Sequence, residues 1–388
     1  MQQNVNLHSI MNAFADSTGL SNDSLEPRRY LWTDAFAVCN YLELYRQTGD
    51  EQDLQLALKL VDQVHLTLGK HHQDSNHGGW LSGLDEGQAR LHPTMAGLRI
   101  GKQMNERQAD EAYDDQLEWD RDGQYFHYLT KWMFALNRVS QVTGKSIYNQ
   151  WALELARAAH AAFTYTPVEG GPKRMYWKMS IGLSRAQVPS MGHHDPLDGL
   201  ITYLQLEATA KGFPETPIEL SLKTEIEDMQ AMCAGENWAT EDPLGIGGLL
   251  SDAYRLVQLI ETHHLHETTR LESLLHDIEI SLQAFASNNQ LNLPAEYRLA
   301  FRELGLAIGL HAIGRMQKTI EQHPENFTDT DQLKTTLSKL TRFHQINEFI
   351  ESFWLAPEHQ SVDSWLEHAD INNVMLATCL APGSYLKI

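Results

Sequence analysis

Phe36, Val38, Cys39, Tyr41, Leu42 and Leu44 leave the stretch 27–48 no polar side when it is wound as a helix. Leu129, Trp132, Met133, Phe134 and Leu136 do the same within 122–143, and Leu304, Leu306, Ile308, Leu310 and Ile313 within 296–320. A helix apolar all round must be buried on every flank. The stretches that follow these read differently. In 51–69, Asp53, Gln55, Lys59, Asp62 and Gln63 are interleaved with Leu56, Leu60 and Val64, so one face meets water and the other a core. Helical periodicity predicts elements near 27–48, 51–69, 122–143, 146–162, 195–211, 216–234, 246–262, 266–287, 296–320, 330–355 and 368–381. No stretch alternates convincingly with the period of two that a half-buried strand requires.

The alternation of buried and amphipathic helices has an internal repeat. "TGDEQDLQLALKLVDQVH" begins at Thr48, and "TGKSIYNQWALELARAAH" begins at Thr143. In this register Gly49 matches Gly144, Ala57 matches Ala152, Leu58 matches Leu153, Leu60 matches Leu155 and His65 matches His160. Each Thr-Gly pair ends a buried helix, because Gly takes the left-handed C-terminal conformation. Lys211-Gly212 and His263-His264 occupy the corresponding turns of later hairpins. The count comes to about six hairpins, none of which can bury its own apolar face alone. An open solenoid needs polar caps at both ends, yet "NNVMLATCLAPGSYLKI" is still apolar at the C-terminus. The expectation is a closed ring, with the last helix beside the first. That is an all-α (α/α)6 toroid forming a single domain over 1–388, with 1–25 as an N-terminal segment. The arrangement resembles the six-hairpin glycosidases and the N-acylglucosamine 2-epimerase-like enzymes, most closely in "YRQTGDEQDLQLALKLV" from Tyr45 to Val61. The resemblance lies in architecture and hairpin style. No diagnostic catalytic motif matches, so no residue role is carried across.

In that family a funnel opens at one end of the inner helices. The connections within each hairpin are short here, and those between hairpins are long, above all 70–121 and 163–194. Trp80, Trp119, Tyr176 and Trp177 argue that these long loops are folded. The rim therefore lies at the N-terminal ends of the inner helices, where unpaired N–H groups favour acids. "LEWDRDGQYFHYLTKW" (117–132) brings Glu118, Asp120 and Asp122 to one such mouth, with Tyr125 and His127 just inside. One aspartate suffices to cap a helix; three acids beside two tryptophans exceed that need. "MGHHDPLDGL" (191–200) presents His193, His194, Asp195 and Asp198, with Asp195 expected as N-cap and Pro196 in the first turn. A histidine beside a carboxylate suits general acid–base work. Adjacent histidines diverge on a helix, which argues against their chelating one metal. Trp32 and Asp34 stand at the first mouth, and Asn373 at the last. Arg298 and Arg302 share a helix face, suited to a substrate carboxylate or to a pairing with Glu303. The candidate catalytic residues are Glu118, Asp120, Asp122, His194 and Asp195. The candidate substrate-binding residues are Trp32, Asp34, Tyr125, His127, His193, Arg298 and Asn373.

A net charge of −21 and a pI of about 5.3 repel nucleic acid and anionic membrane surfaces. Cys39, Cys233 and Cys379 are scattered without a CxxC, against both a disulfide framework and a zinc–cysteine site. The N-terminus lacks a basic-then-apolar leader, and no apolar run approaches the roughly 18 residues of a membrane span. The cytoplasm is the default location, with no cofactor or metal expected and the oligomeric state open. The leading expectation is a glycoside hydrolase acting on a saccharide, which needs two carboxylic groups flanking the bond. A sugar epimerase using His127, His193, His194 or His368 is the second reading. A lyase or cyclase on a non-sugar substrate and a non-catalytic helical-repeat binding protein are the remaining alternatives.

Overall fold

The inner-helix blocks of the sequence become helices buried through most of their length. The computed structural model describes residues 2–22, 24–72, 75 and 78–388, and it divides into two compact units. One comprises residues 15–235, the other residues 1–14 with 236–388. The N-terminal segment carries a helix that the periodicity does not reveal, α1 (Gln2–Ser17).

The 15–235 unit holds three hairpins. Its inner helices are α2 (Leu31–Thr48), α6 (Phe126–Thr143) and α8 (Asp195–Ala210), and α6 packs on both others. Its outer helices are α3 (Glu51–Leu68), α7 (Ser146–Phe163) and α9 (Lys223–Met232), each against its own inner partner. Gly49 and Gly144 close α2 and α6 at φ of 73° and 68°, the left-handed conformation that lets the chain turn at once into the outer helix. The repeated histidines share a task. His65 Nε2 accepts from Trp132 Nε1 at 3.1 Å, and His160 Nε2 lies 3.0 Å from an Asp228 carboxylate oxygen. Both reach from an outer helix into the hairpin that follows. Burial pushes the His65 imidazole down to about 3, so it remains the neutral acceptor the indole needs. Asn137 of α6 donates to Asn149 of α7 and to Thr209 of α8 at 2.8 Å each, and it accepts from Gln205 of α8 at 2.7 Å.

The long loops contain structure. α4 (Glu86–Leu91) and α5 (Asp115–Asp120) are short helices capped by Asp85 and Asp114. β1 (Gln124–Tyr125) leads straight into α6, and β2 (Thr164–Tyr165) pairs with β3 (Arg174–Met175). β4 (Lys178–Met179) lies between β1 and β5 (Ala186–Val188) in an antiparallel three-stranded sheet, with Gln124 opposite Met179. Strands of two or three residues are too short to show alternation.

In the 236–388 part, α10 (Pro243–His263), α12 (Ala300–Gln322) and α16 (Ala369–Leu380) are the inner helices, with α12 packed on both others. α11 (Thr268–Ser287), α13 (Thr330–Leu340) and α14 (His344–Leu355) lie outside them, and α15 (Asp363–Leu366) and α17 (Gly383–Leu386) are single turns. The one helix expected over 330–355 is two, joined by a 3-10 turn at Thr341–Phe343. That break lets α13 pack on α11 and α12 while α14 packs on α12 and α16. The three cysteines are buried thiols, and no helix among the described residues is long and apolar enough to cross a membrane.

α10 and α12 meet backbone to backbone. A Cβ on Gly247 would overlap the Gly305 carbonyl, and one on Gly309 would stand 2.6 Å from the Gly247 carbonyl oxygen. Gly248, next in the chain, has open space where its Cβ would be. Gly247→Ala is therefore expected to destabilise the protein by about 1–3 kcal/mol through overpacking. Gly248→Ala should be neutral or stabilising by up to about 1 kcal/mol, because a helix-interior glycine is replaced at no steric cost. Urea unfolding of both variants checks the contrast, and equal effects would remove the close-approach account.

Candidate active site

Two polar fastenings hold the loops over the N-terminus of α6. Asp122 accepts from Arg99 Nη1 at 2.8 Å and from the backbone N–H groups of Gly101 and Gly123 at 3.0 Å each. The Gln124 side chain accepts from Leu98 N at 2.9 Å and donates to the carbonyls of Ala96 and Ile181 at 3.1 and 2.7 Å. Gln124 thereby ties the loop between α4 and α5 to the loop after α7. Glu118 pairs through Oε1 with Arg107, and its Oε2 lies 3.6 Å from Lys178 Nζ. Lys178 is fully buried and donates to the carbonyls of Glu118 and Arg121 at 2.5 and 2.9 Å, closing the C-terminal end of α5. Burial drives its ammonium down to about 8. Asp120 is exposed on the last turn of α5. Of the three acids quoted from 117–132, two are taken up by cations that fasten loops, and the third faces solvent.

Asp34 likewise closes a helix end. Its Oδ2 accepts from the Tyr30 N–H at 2.9 Å and its Oδ1 lies 3.4 Å from Arg29 Nη1. Trp32, two residues earlier on α2, faces an aromatic cluster. Its ring lies 5.3 Å from Tyr128 and 6.0 Å from His127. Tyr125 stands 5.4 Å from His127 and 5.6 Å from Trp177, and Trp119 packs edge-on to Trp177 at 4.7 Å. Lys102 Nζ lies 5.9 Å from the Tyr125 ring centre and also lines a cavity of about 390 Å³ with Arg28, Arg29, Arg99 and Gly101. Asp195 does not line that cavity.

Asp195 belongs instead to the aromatic cluster. The structure corrects its expected role. His194, not Asp195, is the N-cap of α8, and it makes no side-chain cap bond. Asp195 is the first helical residue, followed by Pro196, whose fixed φ suits that turn. A residue at that place has helical backbone geometry, so its carboxylate is not aimed at the N–H groups that a cap would satisfy. Asp195 is 5 % exposed and its Oδ2 has no hydrogen-bond partner. Its Oδ1 lies 3.9 Å from His127 Nδ1, too far for a hydrogen bond. His127 Nδ1 and Trp32 Nε1 are also buried without partners. Gly192 packs against the carboxylate so closely that a Cβ there would overlap it.

One turn along α8, Asp198 accepts from Lys131 Nζ at 2.9 Å and Thr130 Oγ1 at 2.5 Å. Burial first, and the Asp198 charge second, raise the Asp195 carboxyl to about 7. Burial and the Lys131 ammonium hold the His127 imidazole well below its ordinary range, so it is neutral. A carboxyl raised to near neutrality, a neutral imidazole and an indole N–H are thus grouped beside stacked aromatic rings. The cluster sets hydrogen-bonding groups without partners among the described residues beside flat aromatic faces.

Of the sequence candidates, Trp32, Tyr125, His127 and Asp195 come together. His193 is exposed and His194 half-buried, with ring centres 4.7 Å apart. Arg298 and Asn373 belong to the 236–388 part. Arg298 is buried, bound bidentately to Glu303 at 2.9 and 2.6 Å, and lies 3.7 Å over the Phe353 ring. Trp354 Nε1 donates to the same Glu303. The Arg298 guanidinium is a packing element there. Asn373 is half-buried on α16. Sequence reasoning missed Tyr128, Lys131 and Trp177 as members of the cluster. Lys131 could have been found four residues after His127, on the same helix face.

No protein-family model matches the sequence, and no curated protein is similar to it in sequence. Solved structures are similar in fold. An α-1,6-mannanase, GH76A of Salegentibacter sp. HEL1_6, is 11 % identical with a TM-score of 0.53, and the match covers 99 % of this chain and 100 % of that one. An inactive variant of that mannanase, with two consecutive aspartates replaced by asparagine and α-1,6-mannotriose bound, matches with the same identity, score and coverage. A cellobiose 2-epimerase from Bacillus thermoamylovorans aligns over 82 % of this chain and 76 % of its own at 10 % identity and a TM-score of 0.44, too loosely to bear on the fold. The chain thus has the (α/α)6 toroid fold that its alternation of inner and outer helices leads one to expect.

Proposed function

We propose that the chain is a glycoside hydrolase whose general acid is Asp195. The observation that carries this reading is the Asp195 carboxyl, buried, partnerless at Oδ2 and raised to about 7. Glycosidic cleavage needs one carboxylic acid that holds its proton near neutrality and one carboxylate that does not. Asp198 is the second group, held as an anion by Lys131 and Thr130. One turn apart on a helix, the two side chains start about 5–6 Å from each other. Trp32 and Tyr125 are buried and back the cluster, the more exposed Trp119 and Trp177 offer stacking faces, and the neutral His127 offers a hydrogen bond to a substrate hydroxyl.

The fold shared with the α-1,6-mannanase makes α-1,6-linked mannooligosaccharides the first substrates to test. The consecutive aspartates replaced in its inactive variant are not carried over. This chain has one such pair, Asp114–Asp115, in which Asp114 caps α5 and Asp115 accepts from the Tyr113 hydroxyl. The readout is the release of reducing ends. Solvent deuterium at a sugar carbon without new reducing ends would mark epimerisation and overturn the reading.

Two outcomes are expected. Asp195→Asn should lower turnover on the order of 10²–10⁴-fold, and the wild-type kcat/KM should fall as pH rises through about 7, where Asp195 loses its proton. Turnover unaffected in that variant, with a flat profile, would remove Asp195 from the chemistry. The second outcome concerns stability. The folded carboxyl binds its proton more tightly than the unfolded one, with its ordinary value of 3.8. That contribution is fully present below pH 4 or so and is lost as pH climbs towards 7, when the buried group must ionise. Asp195→Asn cannot ionise, so it should melt above wild type at pH 8 and close to it at pH 4. Thermal unfolding at both pH values checks the sign.

A further inference from the structure

The 236–388 part carries a polar cluster that the proposed hydrolysis does not use. His311 of α12, Glu351 of α14 and Cys379 of α16 converge, with one ligand-type atom from each lying within 4.8 Å of the others. His311 Nε2 is 2.7 Å from Glu351 Oε1, and Cys379 Sγ is 3.4 Å from the same oxygen. Asn347, one turn before Glu351 on the same face of α14, is the fourth member. Its Nδ2 is 3.3 Å from His311 Nε2.

The Asn347 amide also hydrogen-bonds the Glu351 carboxylate, so three side chains converge on that one group. One imidazole nitrogen cannot both donate to the Glu351 carboxylate and accept from the Asn347 amide. The Asn347 Oδ1 is meanwhile buried without a partner in a residue only 2 % exposed. A cation in place of those hydrogens would let the amide turn over, so that the oxygen of Asn347 would join the nitrogen, carboxylate oxygen and sulfur that already lie within 4.8 Å of one another. A tetrahedral cation about 2.0–2.3 Å from its ligands places them roughly 3.3–3.8 Å from one another. The carboxylate–sulfur spacing already has that value. The imidazole–carboxylate pair would need to open by less than about 1 Å to reach it. His311 and Glu351 are partly exposed, which leaves a side from which an ion can enter.

We propose that His311, Glu351, Cys379 and Asn347 form a binding site for one zinc-class divalent cation. A mixed nitrogen, oxygen and sulfur set suits Zn²⁺ better than Mg²⁺ or Ca²⁺, which prefer all-oxygen shells. Binding expels the Cys379 thiol proton to solvent and leaves the imidazole proton on Nδ1. The ion then ties three helices, α12, α14 and α16, through side chains that otherwise meet around the Glu351 carboxylate.

The test uses the full chain, stripped with a chelator and titrated with Zn²⁺ by calorimetry and with Co²⁺ by absorption. One ion per chain is expected, with a near-ultraviolet band from thiolate-to-cobalt charge transfer. Cys379→Ser should abolish that band and weaken Zn²⁺ at least tenfold, and Asn347→Ala should weaken it by about 10–100-fold. The wild-type cobalt spectrum does not depend on any variant folding. No thiolate band with wild type, or Zn²⁺ affinity unchanged in both folded variants, would overturn the site. Neither readout involves saccharide turnover, so the result is separable from the fate of the hydrolase reading.

Discussion

Fourteen consecutive buried residues, Leu31 to Leu44, leave α2 no side on which to meet water. A helix of this kind exists only with protein on every flank, and the hairpin layout of each unit answers that demand. α6 has α2, α7 and α8 around it, and α12 has α10, α14 and α16. Where two such helices approach most closely, glycines replace side chains, as at Gly247, Gly305 and Gly309. Polar groups along the buried lengths must find partners within the bundle, as Asn137 does with Asn149, Thr209 and Gln205. Chemistry is thereby pushed to the helix ends, where loops can be fastened and carboxylates can be left unpaired.

The two fates of carboxylates at those ends define the candidate site. Asp122 and Glu118 meet arginines and are used to hold loops. Asp195 meets no cation directly, and its nearest charged neighbour on α8 is another carboxylate. An unpaired carboxyl in such surroundings is expensive to ionise, and it holds its proton well above the ordinary carboxylate range. Protonation here follows from where the arginines are not.

Much of this architecture is legible in the sequence. The all-apolar blocks mark α2, α6 and α12, and the Thr-Gly pairs mark the turns at Gly49 and Gly144. The aromatic residues of the long inter-hairpin loops also mark these loops as folded, and the loops hold α4, α5 and short strands. The sorting of acids is not legible, because it depends on partners remote in sequence. Arg99 reaches Asp122 across 23 positions, and Lys178 reaches Glu118 across 60. Asp195 reads as an N-cap because Asp before Pro usually is one. The helix begins one residue earlier in register, and that single step turns a capping group into an unpaired acid. The 3-10 break at Thr341–Phe343 is hidden for a different reason: the apolar spacing continues through it, with Leu340, Phe343 and Ile350 all buried.

The matched histidines bear on how such a chain is assembled from copies of itself. His65 and His160 occupy one position in the repeat, yet the first accepts from an indole and the second meets a carboxylate. Each is a forward link, made by one hairpin to the next in line rather than within itself. Duplicated hairpins joined in this way do not remain interchangeable. Once the partner in the following copy has become Trp132 or Asp228, the order of the copies is written into the chain. Exchanging or deleting one hairpin would strand a buried imidazole against the wrong neighbour. Divergence among repeats here is a record of position, and it sets the point beyond which the hairpins can no longer be shuffled.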